Sequence, residues 1–216
     1  MEQEILKDWQ KKAIEFIASA KELDNFYLTG GTALAAFYLQ HRVSDDLDFF
    51  SYSEFDPIFI HKISSELKNI LAASQLRFSR IHDRFQFFYQ LNDNEVKIEF
   101  LKYPFQQLNP VNIINSLRVD SEEDIASNKL MTILDRFDPK DFVDLYFLLQ
   151  KFELQEIKNN AEKKFNLKIQ PLFLGSELSK VRRIEILPKM LKPLTVDNLK
   201  SFFSEEVKKI SSEIIK

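Results

Sequence analysis

Glycine occurs only three times in 216 residues, and two of the three are neighbours, Gly30 and Gly31. A chain that otherwise does without glycine keeps a pair of them where the backbone must turn tightly or come close to something that a side chain would block. Phe26-Tyr27-Leu28 ahead of the pair reads as a short buried strand. Thr32 to Gln40 (TALAAFYLQ) behind it is apolar nearly all round and suits a short buried helix. Strand, glycine pair and helix in this order bring backbone amides and the Thr32 hydroxyl together into a place for phosphate.

The rest of the chain divides by period. Ile5, Leu6, Trp9, Ala13, Phe16, Ile17 and Ala20 recur at helical spacing, which predicts an amphipathic helix over residues 2–21. Leu47 to Ser51 reads as a strand, and Pro57 opens a further helix with Asp56 as its N-cap. Between Leu76 and Leu101 the period changes to two. Phe85, Phe87, Tyr89 and Leu91 alternate, Asn92-Asp93-Asn94 turns the chain, and Val96, Ile98 and Phe100 alternate on the return, a hairpin pattern. YPFQQLNP reads as a loop. Beyond about Arg118 the pattern is helical, with Ser121 as an N-cap, Asp138-Pro139 opening another helix and Pro171, Pro188 and Pro193 punctuating later ones. The last helix shows Val196, Leu199, Phe203, Val207, Ile210 and Ile214. The expected organisation is an α/β (α+β) core at 1–118 followed by a helical domain at 119–216.

Composition excludes several kinds of chemistry. With no cysteine there is no disulfide framework, thiolate zinc site or cysteine nucleophile, and His41, His61 and His82 are too scattered to build a histidine metal site. Apolar runs fall far short of the ~20 residues that a membrane span requires, and the acidic start MEQEILKDWQ is unlike a signal peptide. The expectation is a cytoplasmic protein with no membrane partner. Charge is uneven: residues 1–150 hold 16 Lys and Arg against 24 Asp and Glu, and residues 151–216 hold 14 against 9.

Asp46 and Asp48 follow the glycine pair by fifteen and seventeen residues, and period two places both carboxylates on one face while Leu47 and Phe49 enter the core. Two adjacent carboxylates repel unless a cation sits between them, and oxygen ligands suit Mg²⁺ or Mn²⁺. In EVKIEFL, Glu99 faces away from Ile98 and Phe100 and shares its face with Lys97. If that strand lies beside the Asp46/Asp48 strand, three carboxylates converge on metal, an arrangement suited to nucleotidyl transfer. The alternative for Glu99 is a simple surface pair with Lys97.

GGTALA, HRVSDDLDFF, VKIEF and DIASNKLMTILDRFDPKDFVDLYFLL, taken in order over residues 24–150, resemble the successive motifs of the AbiEii/AbiGii toxin family of nucleotidyltransferases in the DNA polymerase β-like superfamily. The resemblance implies a mixed-sheet nucleotidyltransferase core, a divalent metal, a nucleoside triphosphate (NTP) donor and the role of toxin in a toxin–antitoxin or phage-abortive system. It also implies an RNA end such as that of tRNA as acceptor, and an antitoxin protein as partner. By the same resemblance Gly30, Gly31 and Thr32 match the phosphate loop, and Asp46 and Asp48 the metal pair. Arg42 and Ser44 match an R-x-S that holds phosphate oxygens, Lys129 the triphosphate lysine, and Asp141 and Asp144 a K-D-x-x-D helix closing the site. Glu99 stands where aspartate is often found, and its extra methylene changes its reach.

Alternatives remain beside these assignments. Lys129 and Arg136 would otherwise form a solvated basic stripe. Asp144 lies among large apolar residues and needs a basic partner, with Lys129, Lys140 and Arg136 as candidates, so a clamp competes with a nucleotide-binding role. His41 reads as a packing residue. Arg182-Arg183 reads equally as an RNA contact and as ordinary basic surface. Rival functions are transfer to a protein or small molecule, and a nucleotide- or antitoxin-binding module without turnover.

Overall fold

Alternation of large apolar with polar side chains organises the first half of the molecule. The computed structural model describes residues 5–92 and 94–214, with side chains as far as Ile210. Strands β1 (Phe26–Thr29), β2 (Leu47–Ser51), β3 (Gln75–Ile81), β4 (Arg84–Leu91), β5 (Asn94–Lys102), β6 (Asn112–Ile114) and β7 (Leu117–Val119) form one seven-stranded sheet in the order β3-β4-β5-β2-β1-β7-β6. The β2–β5 and β1–β7 pairs are parallel and the others antiparallel, so the sheet is mixed.

The pairing register puts Leu47, Phe49, Phe85, Phe87, Tyr89, Val96, Ile98 and Phe100 on one face, and all are buried. Each such side chain contributes about 1.5–3 kcal/mol on leaving water. Helix α1 (Asp8–Ser19) packs against β7 and against helix α3 (Pro57–Ile70), which also contacts β3. The Tyr89 hydroxyl donates to the α3 carbonyl of Ser64 at 3.3 Å.

The chain forms two compact units, Met1–Phe37 with Ser44–Ser121, and Tyr38–Val43 with Glu122–Lys216. The second unit holds α4 (Glu122–Asp135), α5 (Pro139–Leu148), α6 (Leu154–Phe165), α7 (Pro171–Ser179) and α8 (Val196–Ile214). Its core includes Ile125, Leu130, Phe142, Leu145, Leu174 and Phe203, with Phe142 and Phe203 edge to face at 5.5 Å. Residues 38–43 are tied into it by Val43 N–H donating to the Lys189 carbonyl at 2.9 Å and Leu191 N–H to the His41 carbonyl at 2.8 Å. Among the described residues, no helix is long and apolar enough to cross a membrane.

Several expected boundaries move. The first helix starts at Asp8 instead of residue 2, and residues 1–4 lie outside the described residues, as does Asp93 at the hairpin turn and the Ile214 side chain. The segment after the glycine pair is a single α-turn, α2 (Gly30–Ala33), continuing as π-helix over Leu34–Leu39 and ended by Gln40 in the left-handed region at φ 51°. Asp56 caps α3 as expected, and Asp138, expected only to open a helix, caps α5; they accept from Ile58 N–H and Lys140 N–H, each at 2.9 Å. The β6–β7 hairpin follows the expected YPFQQLNP loop, in a stretch to which the sequence assigned no element. Its turn residues Asn115 and Ser116 have φ of 49° and 66°, the positive pair that a tight two-residue hairpin demands.

Candidate active site

Register across four strands assembles a polar row on the sheet face opposite the core. Thr29 lies opposite Asp48, Asp48 opposite Glu99, and Glu99 opposite Gln86. Asp46 sits one residue ahead of β2 rather than on it. Gly30 follows Thr29 with φ +72°, and a Cβ there would lie 2.7 Å from Asp48 Oδ2. Glycine is therefore demanded twice, by the left-handed backbone and by the approach of a carboxylate. Gly31 lies in the α2 turn. Thr32, 2% exposed, donates its hydroxyl to the Asp46 carbonyl, tying the glycine turn to the segment that carries the carboxylates.

Three carboxylates meet one ammonium. Lys97 Nζ is 3.3 Å from Asp46 Oδ2, 3.7 Å from Asp48 Oδ1 and 3.9 Å from Glu99 Oε2. Burial pulls the Lys97 pKa down, but Asp48, Asp46 and Glu99 outweigh it, and the net shift is upward. Glu99 is fully buried, and β4 holds it: Arg84 Nη1 donates to Oε1 at 2.6 Å and Gln86 Nε2 to Oε2 at 2.8 Å. Among the described residues, no three His, Asp or Glu side chains stand close enough together to hold a metal ion as placed. The donor set nevertheless suits a hard divalent cation, because three carboxylates already surround one positive charge.

Arg42, Lys129, Asp141 and Asp144 belong to the second unit and form one buried cluster. Asp144, fully buried, accepts from Arg42 Nε at 2.6 Å, Arg42 Nη2 at 2.8 Å and His41 Nε2 at 2.7 Å, and it pairs with Lys129 Nζ at 2.7 Å. Lys129 also donates to Asp141 at 2.8 Å, and Arg136 reaches the other Asp141 oxygen at 3.2 Å. Burial pushes the Asp144 pKa up, yet Lys129, Arg42 and the His41 hydrogen bond together hold it well below the usual carboxylate range. Burial lowers the His41 pKa despite Asp144. The neutral ring then carries its proton on Nε2, because an ionised carboxylate only accepts. His41 Nδ1 is buried without a hydrogen-bond partner among the described residues.

Of the basic candidates for Asp144, Lys129 makes the contact, Arg136 goes to Asp141 and Lys140 is exposed; Arg42 and His41 were not among them. Ser44 belongs to the first unit, where its carbonyl accepts from Gln10 Nε2 at 3.0 Å. Sequence reasoning also passed over Arg84 and Gln86. Their signal was available, since both alternate with Phe85 and Phe87 and so face the Glu99 side once β4 pairs with β5.

Comparison with known proteins adds three findings. The family model described as "Nucleotidyl transferase AbiEii toxin, Type IV TA system" matches residues 15–213. An uncharacterized protein of Aquifex aeolicus (strain VF5) is 32% identical over 170 residues, spanning 74% of this chain and 76% of that one. The fold is shared with JHP933 from Helicobacter pylori (19% identity, TM-score 0.58, 95% of this chain and 91% of that chain) and with the nucleotidyltransferase toxin MenT4 from Mycobacterium tuberculosis H37Rv (14%, 0.55, 95% and 86%).

Proposed function

Because the chain belongs to the AbiEii family of nucleotidyltransferase toxins and is itself a nucleotidyltransferase, we propose that it transfers a nucleoside monophosphate from an NTP to a hydroxyl at an RNA end, that of tRNA included, and releases pyrophosphate. Residues 1–118 are read as the nucleotidyltransferase core and 119–216 as the helical domain. The observation that carries the reading is the row formed by Thr29, Asp48 and Glu99 on three adjacent strands, with Gly30, Asp46 and Lys97 beside it. Asp46, Asp48 and Glu99 would hold Mg²⁺ or Mn²⁺, which supplies charge neutralisation at the phosphates and activation of the attacking oxygen.

The chain's own residues do the remaining work. Gly30 leaves room for Asp48, and Thr32 holds the carbonyl of Asp46. Arg84 and Gln86 fix the longer Glu99 side chain, so its extra methylene is taken up on the β4 side. Gly30, Gly31 and Thr32 are proposed to bind phosphate, and Lys129, Arg42, Ser44 and Asp141 are proposed as nucleotide-binding residues by family resemblance, with Asp144 as the buried clamp that holds Arg42 and Lys129. Lys129 is the triphosphate contact among them. A cytoplasmic toxin with a cognate antitoxin, serving toxin–antitoxin or abortive-infection defence, is the biological setting proposed.

The test is incubation with each α-labelled NTP, Mg²⁺ and total RNA. Labelled RNA and released pyrophosphate are expected, both abolished in Asp46→Asn and Asp48→Asn while the variants stay folded. Label in protein or in a small molecule would replace RNA as the acceptor. Nucleotide binding without release of pyrophosphate would leave a binding module in place of the transferase.

A further inference from the structure

We propose that Lys97 is the resident cation of the carboxylate site: its ammonium holds Asp46, Asp48 and Glu99 together before a divalent ion arrives, and it is exchanged for that ion on binding. The inference rests on the reading of these carboxylates as metal-holding, and it concerns a residue to which that reading gives no role.

The geometry follows from the strands. On β5, period two puts Lys97 and Glu99 on the same face, and the parallel register with β2 sets Leu47 opposite Ile98 and Asp48 opposite Glu99. Lys97 precedes Ile98 as Asp46 precedes Leu47, and its ammonium comes to 3.3 Å from the Asp46 carboxylate. A lysine on an open sheet face is free to extend its four-carbon stem into water. This one is 23% exposed and directs its nitrogen to within 3.3–3.9 Å of an oxygen from each of the three carboxylates. An isolated surface pair with Glu99 would not do this, because Glu99 is already held by Arg84 and Gln86 and is the most distant of the three.

The electrostatics define the role. Three carboxylates on one face repel, and one ammonium among them reduces that repulsion. Mg²⁺ requires oxygens at about 2.0–2.1 Å, a contraction that leaves no room for an ammonium in the same position. Ammonium and divalent ion are therefore alternative occupants, coupled negatively through the same ligands. Glu99 is anchored on β4 while the Asp46 side chain is 49% exposed, so the exchange is accommodated on the Asp46 side.

Mn²⁺ titration by calorimetry and melting of the metal-free protein test this without any turnover assay. Lys97→Met keeps the stem and removes the charge. It should bind Mn²⁺ more tightly than wild type, by a factor within the roughly 5–150-fold range of ordinary site coupling, and should melt lower without metal. Lys97→Arg keeps the charge and should return both measurements toward wild type. Unchanged or weaker Mn²⁺ binding in Lys97→Met, with wild-type binding that Asp48→Asn abolishes, would overturn the exchange and leave the metal site intact. Wild-type Mn²⁺ binding that survives Asp48→Asn, or no Mn²⁺ binding in either wild type or Lys97→Met, would instead overturn the metal reading on which the inference rests.

Discussion

Replacing Asp144 by asparagine keeps the side-chain shape and removes one buried charge. In the native cluster the buried Arg42 and Lys129 carry two positive charges against Asp141 and Asp144, with His41 neutral and the exposed Arg136 reaching Asp141 from the surface, so the variant leaves one uncompensated cation in the interior. Breaking a buried ion pair in this way costs about 3–5 kcal/mol. Asparagine still offers one carbonyl oxygen to Arg42 or His41, which puts Asp144→Asn near the lower figure and Asp144→Ala near the upper. For a chain of this size, 1 kcal/mol moves the melting temperature by about 2–4 °C, so the expected drop is roughly 6–20 °C across the two variants. Calorimetric or circular-dichroism melts at neutral pH read this directly. Adding Lys129→Met to Asp144→Asn removes the excess charge and should recover part of the loss, a coupling that a double-mutant cycle measures. A melt within 2 °C of wild type would refute the clamp, and an inactive but fully stable Asp144→Asn would return Asp144 to a direct role in nucleotide binding.

The same cluster sets a pH dependence. His41 has a folded pKa below its ordinary 6.5, so its contribution is present above pH 6.5 and lost as pH falls through the folded value; Asp144, held below 3.8, adds a further loss below about pH 4. Wild-type melting temperature should therefore fall from pH 7 to pH 5, and His41→Gln should flatten that segment. Gly30→Ala forces a left-handed alanine, costing about 1–2 kcal/mol, and presses a methyl against Asp48; transferase activity should be lost while circular dichroism still shows a folded chain. Gly175→Ala, inside α7, is the contrasting case, because among the described residues its added Cβ would meet only Ile210 Cγ2 of α8, at 3.9 Å. It should stabilise by about 0.5–1 kcal/mol and leave activity unchanged, as a melt and a transfer assay would show.

Elements marked by local signals were legible in the sequence. Aromatic alternation identified β4 and β5, and the Asp-Pro pairs identified the starts of α3 and α5, because capping and side-chain period act within a few residues. The strand β3 was read only as the start of the period-two stretch at Leu76, and the β6–β7 hairpin was obscured. β3 lies at the sheet edge with polar residues on both faces, and three-residue strands carry too little period to read. The division of units at residues 38–43 had no local marker either, since it depends on backbone hydrogen bonds to residues about 150 positions later.

For the site, the legible part was chemical type and the illegible part was pairing. Asp46 shares a face with Asp48, and Lys97 with Glu99, by period two, and that much follows from spacing. Which cation neutralises each carboxylate depends on strand register and helix packing. Once β2 and β5 lie parallel with Asp48 opposite Glu99, Lys97 is drawn to all three carboxylates instead of to Glu99 alone. Asp144 is the same lesson inside a helix: an acid among Phe142, Val143 and Leu145 announces that it must be paired. Its partners His41 and Arg42 are more than 100 residues earlier in the chain and come within reach only because residues 38–43 fold with the second unit. An apolar Asp144 neighbourhood therefore demanded a cation; Lys129 supplies one from α4, and the topology of that short segment adds Arg42 and His41.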